Sequence, residues 1–319
     1  VTTSIDTSGN SSFSKLVPGL QLAVDSTSLG EFKTCPRKYQ LGIVEGWQPR
    51  DESVHLTFGL LLHQARENYE HQRLAGQDHE DALDFALDSA LRATWNSKLQ
   101  RPWASGHPAK NRQTLVQTLV WYLDALAQND TLETVVLANG KPAVELSFRF
   151  DSGLRTADGE AILFCGHLDR IAKLGNLFYI PDIKTSLYEP NAKWAKQFTP
   201  GNQFSMYTLA GMVAFDYEIE GVIADGVQIG VTFSRFQRHL IPRPKAVIDE
   251  WLHDAGLYIK QMEEYAKAGY WPMDDKACSM YGGCPFQGVC AKEPARRAAH
   301  LKAEFVKRVW DPLQVRGEI

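Results

Sequence analysis

Two acids and a lysine carry the first chemical signal. Asp182 and Lys184 stand two positions apart in Pro181-Asp182-Ile183-Lys184-Thr185, and Asp169 precedes them in Gly166-His167-Leu168-Asp169-Arg170. On an extended strand, residues two apart point to the same side, so Asp182 and Lys184 share one face. Neighbouring strands run about 4.8 Å apart, which brings Asp169 into the same pocket when the register matches. Carboxylates on adjacent strands are hard oxygen ligands suited to Mg²⁺ or Mn²⁺. A lysine beside them orients or activates a water while the metal stabilises charge on a phosphate. The same spacing also describes an ordinary Asp–Lys pair at a solvated strand end, which is worth little.

The cysteines are the second signal. There are five, an odd number: Cys35, Cys165, then Cys278, Cys284 and Cys290, the last three amid Gly282, Gly283, Pro285 and Gly288. In a reducing compartment such a cluster is more often metal-binding than disulfide-bonded. Glycines let backbone wrap closely around a small inorganic body and offer it N–H groups. Four thiolates suit a 4Fe–4S cluster and also suit zinc. Zinc sites usually use close-spaced cysteine pairs, which do not occur here. Cys165, in an apolar strand pattern, reads as a buried thiol.

The rest of the chain must position these groups. It has 319 residues, 44% apolar and 23% charged, which suits one large domain or two small ones with a sizeable core. A net charge of −4, from 34 basic and 38 acidic residues, excludes a blanket of positive charge. It is compatible with a local basic groove beside an acidic metal site. No apolar run is long enough to span a bilayer, and no secretion signal opens the chain, so a cytoplasmic protein without membrane contact is expected.

Residues 1–20, which open on a Ser/Thr-rich stretch, read as a flexible lead-in, and 21–319 as a single domain. Ser28 and Glu31 have capping-box spacing, predicting a helix to Leu41 that carries Cys35. Helical periodicity follows over Thr57–Ala75, Asp81–Leu99 and Gln113–Ala127, the last two within a helical insertion at about 76–139. Alternation over Val144–Phe150 marks a half-buried strand, and Ala161–Ile171 and Asn176–Lys184 read as two more. A helix over Gln203–Phe215, a strand over Gly221–Phe233 and a hairpin partner at Arg238–Pro242 come next. A long helix Lys245–Lys267, a Gly/Cys-rich loop and a basic helix near Pro294–Val309 complete the order. The class is α/β, with a core of helix, three strands, helix and strand.

Asp169, then Asp182-x-Lys184, then Gln203-x-x-x-Tyr207 on the following helix, with Gly59-x-x-x-His63 on the helix before the sheet, resembles the PD-(D/E)XK nucleases of the RecB type. The resemblance runs from Cys35 to Cys290 and is weakest over the insertion. It implies a restriction-endonuclease-like core around a mixed central sheet. It implies that His63, Asp169 and Asp182 hold Mg²⁺ or Mn²⁺ and that Lys184 serves hydrolysis. Gln203 and Tyr207, four apart and so on one helix face, would flank the site and position DNA. Without the resemblance, His63 reads as a satisfied core histidine and Gln203/Tyr207 as a routine surface pair. Glu145, the acid on the first strand, ranks below these: it suits an outer role near the metal and equally a solvated strand position.

One N-terminal cysteine, Cys35, with Cys278, Cys284 and Cys290 is similar to the iron–sulfur subgroup of these nucleases, including AddB-type and CRISPR-associated RecB-like members. This implies a 4Fe–4S clasp joining the N- and C-terminal regions. Arg37 and Lys38 beside Cys35, and Arg296 and Arg297 after Cys290, are then candidate contacts to a phosphate backbone. A solvated amphipathic helix with Leu301, Phe305 and Val309 turned inward explains the second group equally well. There is no Walker A motif, paired-glycine dinucleotide fingerprint or His-Glu-x-x-His, so any helicase activity would need a partner. The expected protein is a metal-dependent exonuclease for single-stranded DNA, serving recombination, repair or phage DNA processing. A CRISPR adaptation nuclease that trims prespacers with an integrase partner is the rival within the class. A non-catalytic iron–sulfur DNA-binding subunit is the rival outside it, and the intact Asp169, Asp182 and Lys184 argue against that.

Overall fold

The structure, a computed structural model, describes residues 12–51, 53–215 and 217–313. Where one domain is expected over 21–319, the chain packs as two compact units, each assembled from separate segments. Among the described residues one takes 12–51, 147–166 and 245–313; the other takes 53–146, 167–215 and 217–244. Among the described residues no helix is long and apolar enough to cross a membrane.

The first unit holds the cysteine cluster. Its opening helix, Ser26–Thr34, is capped by Asp25, whose carboxylate accepts from the Ser28 N–H at 2.8 Å while Ser28 Oγ accepts from the Asp25 N–H at 3.1 Å. This reciprocal box lies three residues before the expected Ser28/Glu31 pair. The helix also does not run to Leu41. Cys35 is extended, as a residue before proline should be, and a new turn starts at Pro36–Tyr39. Phe32, Tyr39, Tyr265 and Trp271 pack ring against ring with centroids 5.3–6.2 Å apart. A second apolar cluster joins Leu41, Phe286, Val289, Leu301 and Phe305. The basic helix stops at Glu304, because Phe305–Lys307 pairs as a strand with Trp47–Pro49. Of the expected lead-in, residues 1–11 lie outside the described residues. Residues 12–20 are folded in, with Ser12, Phe13, Ser14, Val17 and Leu20 buried, so the lead-in does not extend that far.

The second unit holds the acids. Helices Val54–Leu74, His79–Ala93 and Arg112–Asn129 pack through Phe58, Leu62, Ala65 and Tyr69 against Ala82, Ala86, Ala90, Leu115 and Leu119. Alanines at every fourth position let the second helix approach closely along one face. The insertion is not wholly helical: it also contains a small hairpin, Trp95–Asn96 with Arg101–Pro102, and the strand Leu132–Thr134.

That last strand is the edge of a five-stranded mixed sheet, followed in order by Ala172–Leu174, Leu177–Ser186, Ile219–Ile229 and Ser234–Pro242. Leu177–Ser186 lies in the middle, parallel to Ile219–Ile229, with Asp182 opposite Ala224 and Lys184 opposite Gly226. The three expected core strands do not share one sheet. Val144–Arg155 and Ala161–Arg170 pair instead with Ala23–Val24 in a separate three-stranded sheet. The chain leaves that pairing after Arg170, and Ala172–Leu174 turns back at once on Leu177–Tyr179.

Two glycines set the spacing around the Asp182 strand. A Cβ on Gly211, in the helix Asn202–Ala214, would lie 2.9 Å from Ile219 and 3.2 Å from Ile180. A Cβ on Gly226 would lie 2.3 Å from Pro190 and 3.0 Å from Trp194. Gly226→Ala should therefore lower stability by about 1–3 kcal/mol, the usual range for overpacking a buried site. Urea unfolding measures this, and an unchanged midpoint would show that Pro190 and Trp194 yield freely.

Candidate active site

Four elements of the second unit bring acidic groups together. His63, midway along Val54–Leu74, places Nδ1 2.9 Å from Asp169 Oδ2. Its other nitrogen, Nε2, lies 2.9 Å from the Ile183 carbonyl oxygen. Asp182 is 1% exposed, and its Oδ2 lies 2.6 Å from Lys184 Nζ. Asp182 lies close enough to feel the charge of Asp169. They meet although their strands are not hydrogen-bonded neighbours, with the short strand Ala172–Leu174 leading the chain from one to the other. Glu145 completes the group: ligand atoms of His63, Glu145 and Asp169 all lie within 4.8 Å of one another.

Glu145 is thus a full member of the cluster, which its strand pattern did not reveal. Its backbone is the reason. With φ at +49° it occupies the left-handed region that non-glycine residues avoid. Such a conformation costs on the order of 1–3 kcal/mol and persists only where surrounding structure enforces it. Simple alternation along the strand does not predict where a side chain so placed will point.

The electrostatics follow from burial. Burial pushes Asp182 up to about 6, with the charge of Asp169 adding and those of Lys184 and His63 opposing. Burial would raise Asp169 as well, but the charge and hydrogen bond of His63 outweigh it and hold that carboxyl below its ordinary value. For His63, burial works against the charged form, yet the charges of Asp169 and Asp182 prevail and raise it to about 9. The site is a concentration of negative charge seeking cations.

The residues fit a divalent ion. Asp169 Oδ2 and Asp182 Oδ2 are buried, and neither receives a directed hydrogen bond despite the cations nearby. Beside them a recess of about 20 Å³, lined in part by His63, Glu145, Asp169 and Ile183, has room for one ion or water. An imidazole, a backbone carbonyl and several carboxylates make the hard donor set that Mg²⁺ and Mn²⁺ prefer.

Lys184 sits over the Phe204 ring at 5.7 Å with its side chain 25% exposed, so it can meet a substrate. Gln203 donates to the Tyr207 hydroxyl at 2.9 Å. Tyr207 is buried, and burial, with the charges of Asp169 and Asp182, holds its phenol well above its usual range. Its proton stays on.

Behind the ligands lies a buried ionic lattice that the sequence did not suggest. Arg66 pairs with Glu70, Arg170 reaches Glu70 at 3.2 Å, and Arg238 bridges Asp130 at 2.7 Å and Asp225 at 2.6 Å. Tyr122 donates to Asp225 at 3.0 Å and Thr134 to Glu70 at 2.6 Å. Three arginines face three acids, so the lattice is neutral. A signal was present: Arg66 and Glu70 follow His63 by three and seven positions, on the same helix face.

In the first unit, Cys35, Cys278, Cys284 and Cys290 are gathered, and all are free thiols. The Asp274 N–H donates to Cys35 Sγ at 3.4 Å, and Cys278 Sγ donates to the Asp274 carbonyl at 3.7 Å. Burial pushes the Cys284 thiol up, with Lys38 opposing and the neighbouring Cys35 and Cys278 adding. Burial does the same at Cys290, with Arg37 and Arg297 opposing. Cys165 is 1% exposed and stands apart as the buried thiol expected.

The candidate DNA contacts are largely occupied here. Arg37 donates to the Trp271 carbonyl at 2.8 Å and Lys38 pairs with Glu31 at 2.8 Å. Arg297 donates to the Cys290 carbonyl at 3.0 Å, and exposed Arg296 lies 3.4 Å from Glu293. Arg297 thus braces the cysteine loop directly, and Arg37 holds the backbone that leads into it.

Comparison with known proteins bears on this geometry. Among curated proteins there is no match. Among solved structures the chain is similar to one described as "Crystal structure of SSO0001", with 14% identity, a TM-score of 0.30, and 74% of this chain and 76% of that chain covered. The sequence pattern of the PD-(D/E)XK nuclease superfamily matches residues 26–291, a span containing every acid of the site, Lys184 and all five cysteines. Its members are phosphodiester-hydrolysing nucleases that use Mg²⁺ or Mn²⁺, and this chain belongs to the PD-(D/E)XK nuclease superfamily.

Proposed function

We propose that the protein hydrolyses phosphodiester bonds in DNA, acting on unpaired strands from an end. His63, Glu145, Asp169, Asp182 and the Ile183 carbonyl would hold the Mg²⁺ or Mn²⁺ ion. The observation that carries this reading is the pair Asp169/Asp182, whose buried Oδ2 atoms lack directed hydrogen bonds, with Asp169 and Glu145 lining a recess the size of an ion. When bound, the metal supplies positive charge against the phosphate and its developing negative charge. Lys184, fixed by Asp182 and partly open to solvent, orients the attacking water and adds a second positive charge. Gln203 and the protonated Tyr207 offer donors on the next helix to hold the strand. Preference for unpaired ends rests on depth. Side chains of His63, Asp169 and Lys184 are only 19–25% exposed, so a thin, flexible strand reaches them more readily than a duplex.

We also infer that Cys35, Cys278, Cys284 and Cys290 hold a 4Fe–4S cluster. The three C-terminal cysteines are spaced six apart, without the close-spaced pairs usual for zinc, which favours the larger inorganic body. The N–H donated by Asp274 to Cys35 is the kind of hydrogen bond that stabilises and tunes such clusters.

Lys184→Ala should keep metal and DNA binding but lose about a hundredfold or more in cleavage rate. Cleavage of labelled linear single strands in Mg²⁺ or Mn²⁺ measures it, and wild-type rates would remove Lys184 from the mechanism. Asp182→Asn should abolish cleavage and metal binding, yet raise stability in metal-free buffer. The sign follows from a folded pKa of about 6 against an ordinary 3.8. Above pH 6 the ionised acid burdens the folded state by up to about 3 kcal/mol, and the burden vanishes below the unfolded value. Thermal melts in EDTA should show the variant ahead at pH 7 and level near pH 4. A variant no more stable at pH 7 would show that Asp182 is no stored strain.

Cys35→Ala should yield colourless, less stable protein, whereas Cys165→Ala should keep the brown colour of anaerobically purified wild type. Closing a loop from Cys35 to Cys278 restrains the unfolded chain as a long-span disulfide would, by roughly 5 kcal/mol. Stoichiometric zinc without iron would overturn the cluster and leave the hydrolytic site untouched.

A further inference from the structure

We propose that a groove between the His63 helix and the insertion hairpin is a stacking subsite for unpaired nucleobases of the substrate strand. The inference rests on the DNA-cleaving reading and extends it to a second set of residues. The groove, of about 360 Å³, is lined by Thr57 and Leu61 on the helix and by Trp95, Leu99, Arg101 and Trp103 around the hairpin.

Its chemistry is selective. Trp95 is 46% exposed and Leu99 57%, and exposed indole is costly to leave in water without a use. Arg101 pairs with Asn96 through its backbone, and among the described residues its guanidinium has no ion pair and no hydrogen bond. No carboxylate lines the groove. Two indoles, an aliphatic floor and one free guanidinium, with no negative charge, match a flat aromatic base attached to a phosphate. An acidic or apolar peptide would use the same surface less completely, lacking rings for the indoles.

The hairpin is also held in place. Asn96 Oδ1 accepts from the N–H groups of Lys98 and Leu99 at 3.1 and 3.0 Å, and the Trp103 N–H donates to the Thr94 carbonyl at 2.7 Å. Arg112 ties Thr94 Oγ1 to the next helix at 3.0 Å. Trp95 is therefore presented on a fixed turn.

Continuity with the site is the remaining argument. Thr57 and Leu61 precede His63 by six and two positions, which is about 9 and 3 Å along a helix rising about 1.5 Å per residue. On the adjoining face, exposed Leu56 and Leu60 lead to His63 at four- and three-residue spacing. The groove and His63 thus lie within two turns of each other on one helix, so a single flexible strand passing round it can engage both.

The test uses the full chain without added divalent metal. Binding of a labelled oligodeoxythymidine is compared with binding of an abasic strand of equal length by fluorescence anisotropy. Trp95→Ala should weaken binding of the base-bearing strand about tenfold, within the range for one lost stacked base, and leave the abasic strand unchanged. Trp95→Phe should restore most of the loss. Arg101→Gln should weaken both strands and lower the salt slope by about one contact. Equal loss on both strands, or no loss with Trp95→Ala, overturns the subsite. If wild type cuts DNA while Trp95→Ala binds normally, only the groove assignment falls. If wild type neither binds nor cuts DNA, the nuclease reading falls with it. Since Trp95 is exposed, its variants should keep the wild-type urea midpoint, which separates lost stacking from lost folding.

Discussion

Two carboxylates close enough to act on each other's charge are the constraint around which the second unit is organised. Asp169 and Asp182 would each prefer water, and each makes the other's charge harder to hold. Without metal the repulsion is met by His63 on one side and Lys184 on the other. These partners supply charge but leave the inner oxygens without directed hydrogen bonds, a compromise suited to a site that must later admit an ion. The positive φ of Glu145 adds backbone strain to the same cluster. Strain and unsatisfied polarity converge where function needs them, and the surrounding packing must sustain both.

The ionic lattice is what sustains them. Each element that carries a candidate ligand also contributes to the lattice, or lies beside one that does. The His63 helix supplies Arg66 and Glu70, and Arg170 follows Asp169 directly. Asp225 stands opposite Ile183, next to Asp182 in the ladder. Buried ion pairs add little net stability compared with apolar packing, but breaking one strands a charge and is costly. Such pairs resist displacement more than they add cohesion. Three arginines shared among three acids lock these elements in a single arrangement. The close packing permitted by Gly211 and Gly226 fixes the sheet beneath. A site assembled from strands of two different sheets has need of such cross-bracing.

Much of this was legible from the sequence because its signals are local. Asp182 and Lys184 share a strand face by the period of two, and Gln203 and Tyr207 meet by the helical period, as their 2.9 Å hydrogen bond shows. The long helices and main strands fall close to their expected ends. What escaped depends on features with no fixed spacing. Asp25 displaces Ser28 as the cap, and Ser28 serves as the reciprocal partner at N3 in place of Glu31. Glu145 was named for an outer role but ranked below the other acids, because alternation assumes ordinary strand dihedrals. Leu132–Thr134 is three residues long and gains strand character only by pairing with Ala172–Leu174. The lattice is formed by residues up to 172 positions apart, from Arg66 to Arg238, and single charged residues in a sequence do not announce their partners.

The division of the chain gives the cysteines their physical rationale. The first unit is built from three segments, 12–51, 147–166 and 245–313 among the described residues, so its core forms only after distant stretches of chain meet. Assembly from remote segments carries the loop-closure cost that local hydrophobic contacts do not repay until late. Cys35 lies in the first of these segments and Cys278, Cys284 and Cys290 lie in the last. Around them, Phe286 stacks on Phe305 at 5.0 Å, and the strand Phe305–Lys307 pairs with Trp47–Pro49. The apolar contacts and the thiols thus join the same two ends of the chain. His63, Glu145, Asp169 and Asp182 all belong to the other unit. A group held by the four thiols would therefore brace the same two segments that the strand pairing joins, away from those acids.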